Sequence, residues 1–136
     1  MELKNFVAEC KPSFASINYA IKSQNIEMVK EMLEKFYLRA SLENLIVASA
    51  TGNSDVFNYL ITRGVKPEGS LVLKMAVKSG SEPIVHNLVT KYNYRITQKN
   101  LDSAKHYGHK NLEKLFTTDE RFIPSDKAAI NNSNRA

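Results

Sequence analysis

Leu45-Ile46-Val47-Ala48-Ser49-Ala50-Thr51-Gly52-Asn53-Ser54-Asp55-Val56-Phe57-Asn58-Tyr59-Leu60-Ile61-Thr62-Arg63-Gly64 is the stretch on which the fold turns. From Leu42 to Thr51 the apolar residues Leu42, Leu45, Ile46 and Ala48 keep a spacing near 3.6, which makes one helix face apolar. Ser41 suits the N-cap of that helix. Gly52 ends it, because glycine enters the left-handed conformation without a steric penalty. A second helix starts at Asn53 and Ser54, carries Asp55 in its first turn, and turns Val56, Phe57, Leu60 and Ile61 inward. It closes at Arg63-Gly64, with charge matched to the helix dipole at both ends. A short connection, Val65 to Gly69, follows.

The same pattern recurs every 28 residues without an insertion. Ala20, Ala48, Ala76 and Ala104 mark the register. Three residues before each alanine stand Ile17, Leu45, Leu73 and Leu101; eight after stand Met28, Val56, Ile84 and Leu112; twelve after stand Met32, Leu60, Leu88 and Phe116. All three columns are apolar and predict core. Seven before the alanine, Ser13, Ser41, Gly69 and Thr97 suit helix starts, and four after it, Gln24, Gly52, Gly80 and Gly108 form a turn column. One helix pair cannot enclose a core alone, so four pairs are expected to stack side by side.

Leu45-x-x-Ala48-x-x-x-Gly52-Asn53-x-Asp55-Val56-Phe57-x-Tyr59-Leu60-Ile61-x-x-Gly64 resembles the central stretch of an ankyrin repeat. Leu73 to Val89 and Leu101 to Phe116 match similarly, with Gly108-His109 reproducing the family's Gly-His turn, while Gln24 replaces the glycine in the first copy. The resemblance covers about residues 13 to 122 and rests on four phased copies. It implies repeats at 13–40, 41–68, 69–96 and 97–122. Two departures qualify it. Only twelve steps separate Gly64 from Ala76, fewer than the family uses, where it projects a β-hairpin finger; the Thr-Pro that opens the family's first helix is also missing. The expected fold is therefore an all-α, ankyrin-like helix-turn-helix solenoid with truncated hairpin loops. Tetratricopeptide and HEAT repeats are the runner-up folds, but their periods are longer.

At the N-terminus, Leu3, Phe6, Val7 and Cys10 share one helical face, so residues 1–12 are expected to form a capping helix. Residues 123–136 turn polar after Pro124 and are expected to be a flexible tail. The whole, at 136 residues, is the size of one domain, and 43% apolar with 24% charged residues is globular composition. A single cysteine, no signal-peptide pattern and no apolar run of membrane-spanning length lead us to expect a cytoplasmic protein without a membrane segment. The net charge of +5 favours acidic partners without identifying one.

Nothing in the sequence is phased for catalysis. Cys10 has no neighbour that would activate it, the glycines are dispersed rather than gathered into a phosphate loop, and the carboxylate pairs Glu31/Glu34 and Asp119/Glu120 suit solvated helix ends. His106 and His109 stand three apart, a metal-ligand spacing, but no third ligand accompanies them, and His109 occupies the family's turn position. His86 is expected on the outer face of a second helix. We expect no enzyme, no cofactor and no metal.

What the resemblance implies is protein binding through a concave helical face. In ankyrin repeats the residues six before, two after and three after the alanine face the groove; here they are Phe14, Lys22 and Ser23; Leu42, Ala50 and Thr51; Ser70, Lys78 and Ser79; Gln98, His106 and Tyr107. Phe14 and Tyr107 are candidate aromatic anchors, and Lys22 and Lys78 candidate partners of acidic residues. Phe14 and Leu42 equally suit core packing under a shortened loop. The rival reading is nucleic-acid binding by a ladder of Lys35, Arg63 and Lys91, which helix-dipole complementarity also explains. A homo-oligomer built through Phe14 and the end caps is the structural alternative. The Lys- and Asn-rich vocabulary suggests an AT-rich genome, and with it a viral or bacterial inhibitor of a host or defence protein.

Overall fold

The computed structural model of the chain describes residues 14–36 and 38–124. The expected capping helix at 1–12, Cys10 with it, and the tail beyond Pro124 lie outside the described residues. Within them the fold is all-helical, with eight α-helices and no strand. They are α1 (Phe14–Lys22), α2 (Ile26–Glu34), α3 (Leu42–Thr51), α4 (Ser54–Thr62), α5 (Ser70–Ser79), α6 (Glu82–Tyr92), α7 (Gln98–His106) and α8 (Lys110–Thr118), followed by a single 3-10 turn, Glu120–Phe122.

The helices form four pairs, α1–α2, α3–α4, α5–α6 and α7–α8, each packed within itself. The first helices lie side by side in the order α1, α3, α5, α7, and α2, α4 and α6 form a second, more loosely contacting row. Such a row places the three apolar columns between neighbours. Ile17, Leu45, Leu73 and Leu101 are buried, as are all four marker alanines and both columns of the second helices. The four alanines are fully buried, where a small side chain takes up little space between packed helices. Ile61, expected as core, is only half-buried at the edge of the cluster, since it stands one position round the helix from Leu60.

Helix ends follow the local chemistry. Ser41 accepts from the Asn44 amide and Thr97 from the Asn100 amide, and in both cases the Asn side chain answers by accepting from the cap residue's own amide, forming capping boxes. Gly69, the corresponding residue of the third pair, offers no side-chain cap. Asn25 and Asn53 cap α2 and α4. At the turn column Gly52, Gly80 and Gly108 all adopt positive φ, and so does Gln24, at φ 57°. A side chain pays a steric penalty of about 1 kcal/mol or more in that region. Gln24→Gly is therefore expected to raise stability by roughly 0.5 to 1 kcal/mol, part of the relief being lost to the greater freedom of the unfolded glycine. Urea unfolding checks it, and an unchanged or lower midpoint would show that Gln24 is not held there.

Polar side chains tie each pair to the next. In the first row Asn44 Nδ2 donates to Asn18 Oδ1 at 2.8 Å and Ser79 Oγ to the Ser49 carbonyl at 2.8 Å. Between second helices, Asn87 Nδ2 donates to Asn58 Oδ1 at 3.0 Å and Asn111 Nδ2, on α8, to Glu82 Oε1 at 3.3 Å. Tyr59 donates its hydroxyl hydrogen to the Glu34 carboxylate, while the Lys30 ammonium lies 5.6 Å from its ring centroid. Desolvation by burial, then the hydrogen bond to Glu34, push the Tyr59 phenol up from its ordinary value to about 12. The neutral phenol is the form the fold favours, so this contribution is complete below about pH 10 and is lost as pH rises through 12. The urea midpoint is expected to fall across that window more steeply in the native chain than in Tyr59→Phe. Parallel pH profiles would show that the link adds nothing.

The 3-10 turn after α8 packs against that helix and carries Phe122. Phe122 is fully buried, and its ring lies 5.2 Å from that of His86 on α6, which stays exposed as expected. Asp119 accepts from the Arg121 amide at 3.0 Å and pairs with its guanidinium at 3.1 Å, which fixes the turn that delivers Phe122. Hydrogen bonds from Arg121 hold the Asp119 carboxyl below the usual carboxylate range.

Candidate functional site

The expected partner-binding residues divide by where the packing leaves them. Lys22, Ala50, Lys78 and His106, two positions after each marker alanine, are exposed in all four pairs. They form an unbroken column along the ends of the first helices. The next column behaves differently, because a hydroxyl at a helix C-terminus finds unsatisfied carbonyls within reach. Ser23 Oγ donates to the Tyr19 and Ala20 carbonyls, each at 3.0 Å, Thr51 Oγ1 to the Ala48 carbonyl at 2.8 Å, and Ser79 Oγ to the carbonyls of Ser49 and Ala76. Those three hydroxyls serve the fold. In the fourth pair the position holds Tyr107, which has no such duty and is 45% exposed.

Phe14 opens α1, and Leu42, Ser70 and Gln98 open α3, α5 and α7, so this third column sits at the opposite helix ends from the other two. Leu42 is half-buried and packs against the core, which favours the packing role weighed for it. Ser70 is exposed, and Gln98 Nε2 donates to Asp102 Oδ1 at 3.0 Å.

Around Tyr107 the structure assembles a patch that sequence spacing only hinted at. The His106 ring stands edge-on to it at 4.8 Å, the His109 ring stacks at 6.4 Å, and the Lys78 ammonium lies 5.7 Å from its centroid. His109 is structural: its Nε2 donates to the Lys78 carbonyl at 2.7 Å, linking α5 to the last turn. A carbonyl only accepts, so Nε2 carries the hydrogen. The bond gives His109 a role within the fold. Among the described residues no three His, Cys, Asp or Glu side chains converge on a point where a metal ion would sit.

The basic ladder is partly engaged within the protein. Lys35 pairs with Glu31 at 3.2 Å, and Arg63 Nη2 donates to the Leu33 carbonyl at 3.2 Å, so it reaches the last turn of the neighbouring helix α2. Lys91 is exposed. Sequence reasoning assigned Arg63 to the end of its own helix; that it crosses to the preceding pair depends on how the second row stacks. No helix among the described residues is long and apolar enough to cross a membrane. Comparison with protein-family models, curated proteins and solved structures finds no match.

Proposed function

We propose that the chain is an ankyrin-like repeat solenoid with truncated loops and that it binds a protein with an acidic surface through the exposed ends of its first helices. The fold part of this reading rests on the 28-residue columns, which fall on the buried positions and on the left-handed turns of every pair. The functional part rests on one observation: Lys22, Ala50, Lys78 and His106 stay exposed in register and end on the half-exposed Tyr107, over which a lysine cation is already placed. A rigid amphipathic aromatic with a lysine cation over its face suits a hot spot facing carboxylates. Occupying a partner's surface is the mechanism such a face supports, and the Lys- and Asn-rich composition extends the reading to inhibition of a host or defence protein.

The test is affinity capture from lysates of candidate hosts with the native chain and with a variant carrying Lys22→Glu, Lys78→Glu and Tyr107→Ala. A partner retained by the native chain and lost by the variant is the expected result; equal retention removes the surface from consideration. Nucleic-acid binding has less behind it, since two of the three ladder residues already have partners in the protein. A retained species that is nucleic acid, released steeply by salt, would reverse that preference.

A further inference from the structure

A groove of about 660 Å³ runs between the beginnings of α5 and α7, at the opposite helix ends from Tyr107. That volume lies within the range of small-ligand sites, roughly 300 to 1,000 Å³. Its lining includes Lys74, Arg95 and Lys99 against one carboxylate, Asp102. The three cations are exposed, and none of them forms an ion pair among the described residues.

Asn100 supplies an independent observation. It lines the groove, yet is only 9% exposed. Its Oδ1 accepts from the Thr97 amide at 2.9 Å and from the Thr97 hydroxyl at 3.0 Å, which fixes the carboxamide orientation and leaves Nδ2 as the remaining group. Among the described residues no acceptor meets that Nδ2. Two repeats earlier the equivalent Asn44 makes the same capping box, and its Nδ2 is satisfied by Asn18 Oδ1. The residue standing where Asn18 would be is Lys74. An acceptor has thus been replaced by a second donor, and the Asn100 amide donor opens onto a groove lined by three cations and one carboxylate.

We propose that this groove binds a phosphate-bearing ligand, with Lys74, Arg95 and Lys99 neutralising the charge and Asn100 Nδ2 donating to one of its oxygens. A phosphate monoester presents three acceptor oxygens and nearly two charges, enough for three cations and an amide, whereas a single carboxylate has two oxygens and one charge. Arg95 provides the planar fork that pairs with two such oxygens at once. Ser70, also in the lining, adds a hydroxyl at the start of a helix whose first turn lacks a side-chain cap. The ligand's remainder is either a peptide side chain or a small metabolite, and the site stands independently of the protein-binding face.

Titration of the isotope-labelled chain at constant ionic strength, following side-chain amide signals, tests the assignment. The probes are inorganic phosphate, a blocked phosphoserine, blocked serine and adenosine monophosphate. We expect the Asn100 side-chain signals to shift saturably with the phosphate compounds while those of Asn44 stay still. Lys74→Asn, which restores the acceptor found at Asn18, and the double substitution Lys74→Gln/Arg95→Gln should each weaken binding about ten-fold or more, the usual scale for losing charged hydrogen-bond partners. The tighter of phosphoserine and the nucleotide identifies the source of the phosphate. No saturation up to roughly 10 mM, less than about 3 kcal/mol of binding free energy, would overturn the proposal, as would equal binding by the variants or by blocked serine.

Discussion

Phe57→Ala is expected to destabilise the chain by about 3 to 5 kcal/mol, the range for truncating a fully buried aromatic. Phe57 is completely buried and is among the largest side chains of the core, on α4 in the second of four pairs. The helices around such a buried site are held by their own contacts and relax little into a cavity there. Ile61, four residues on and half-buried, provides the internal comparison: Ile61→Ala should cost only roughly 1 to 2 kcal/mol, in proportion to the area it buries. Urea unfolding of both variants decides the matter. Equal losses would mean that the sequence's equal treatment of the two was right and the observed register of α4 wrong.

The second large effect is at Gly80. Its φ of +76° alone makes alanine unfavourable by about 1 to 2 kcal/mol. In addition, a Cβ there would lie 2.5 Å from His109 Nδ1 and 2.6 Å from Cε1. The imidazole would have to move and give up its bond to the Lys78 carbonyl, a further 0.5 to 1.5 kcal/mol or so. Gly80→Ala is therefore expected to cost about 1.5 to 3.5 kcal/mol in all. Gly108 separates the two causes, since its φ is +73° but no atom lies within 4 Å of the Cβ position. Gly108→Ala should show the backbone cost alone, and the excess at Gly80 should shrink when His109→Ala is added. If the two glycine variants unfold at the same urea concentration, the histidine contact contributes nothing.

These residues also mark how far the sequence reaches. The turn at Gly80 was legible because glycine after a helix-period run has a strong local cause, and its recurrence every 28 residues removed the ambiguity of a single instance. The turn at Gln24 was legible only from the period, since glutamine has no preference for the left-handed region. Tyr107 was legible as a candidate anchor from its column, but the hydroxyl columns beside it were not: whether Ser23, Thr51 and Ser79 face a partner or bend back to helix carbonyls depends on side-chain rotation, to which a sequence pattern is blind.

By itself the sequence determined the helix pairs, their caps, their phasing and the apolar columns, because each follows from the 3.6-residue period and from the conformational preferences of a few residues over one or two turns. Only the tertiary structure decided which polar groups of different pairs meet. Arg63 on the Leu33 carbonyl, His109 on the Lys78 carbonyl and Lys74 in one groove with Asn100 join residues about one repeat apart. The physical reason is that lateral stacking sets these encounters. The spacing and rotation of neighbouring helices come from the sum of many buried contacts, and a shift of a few ångströms in that sum exchanges a hydrogen bond for a groove.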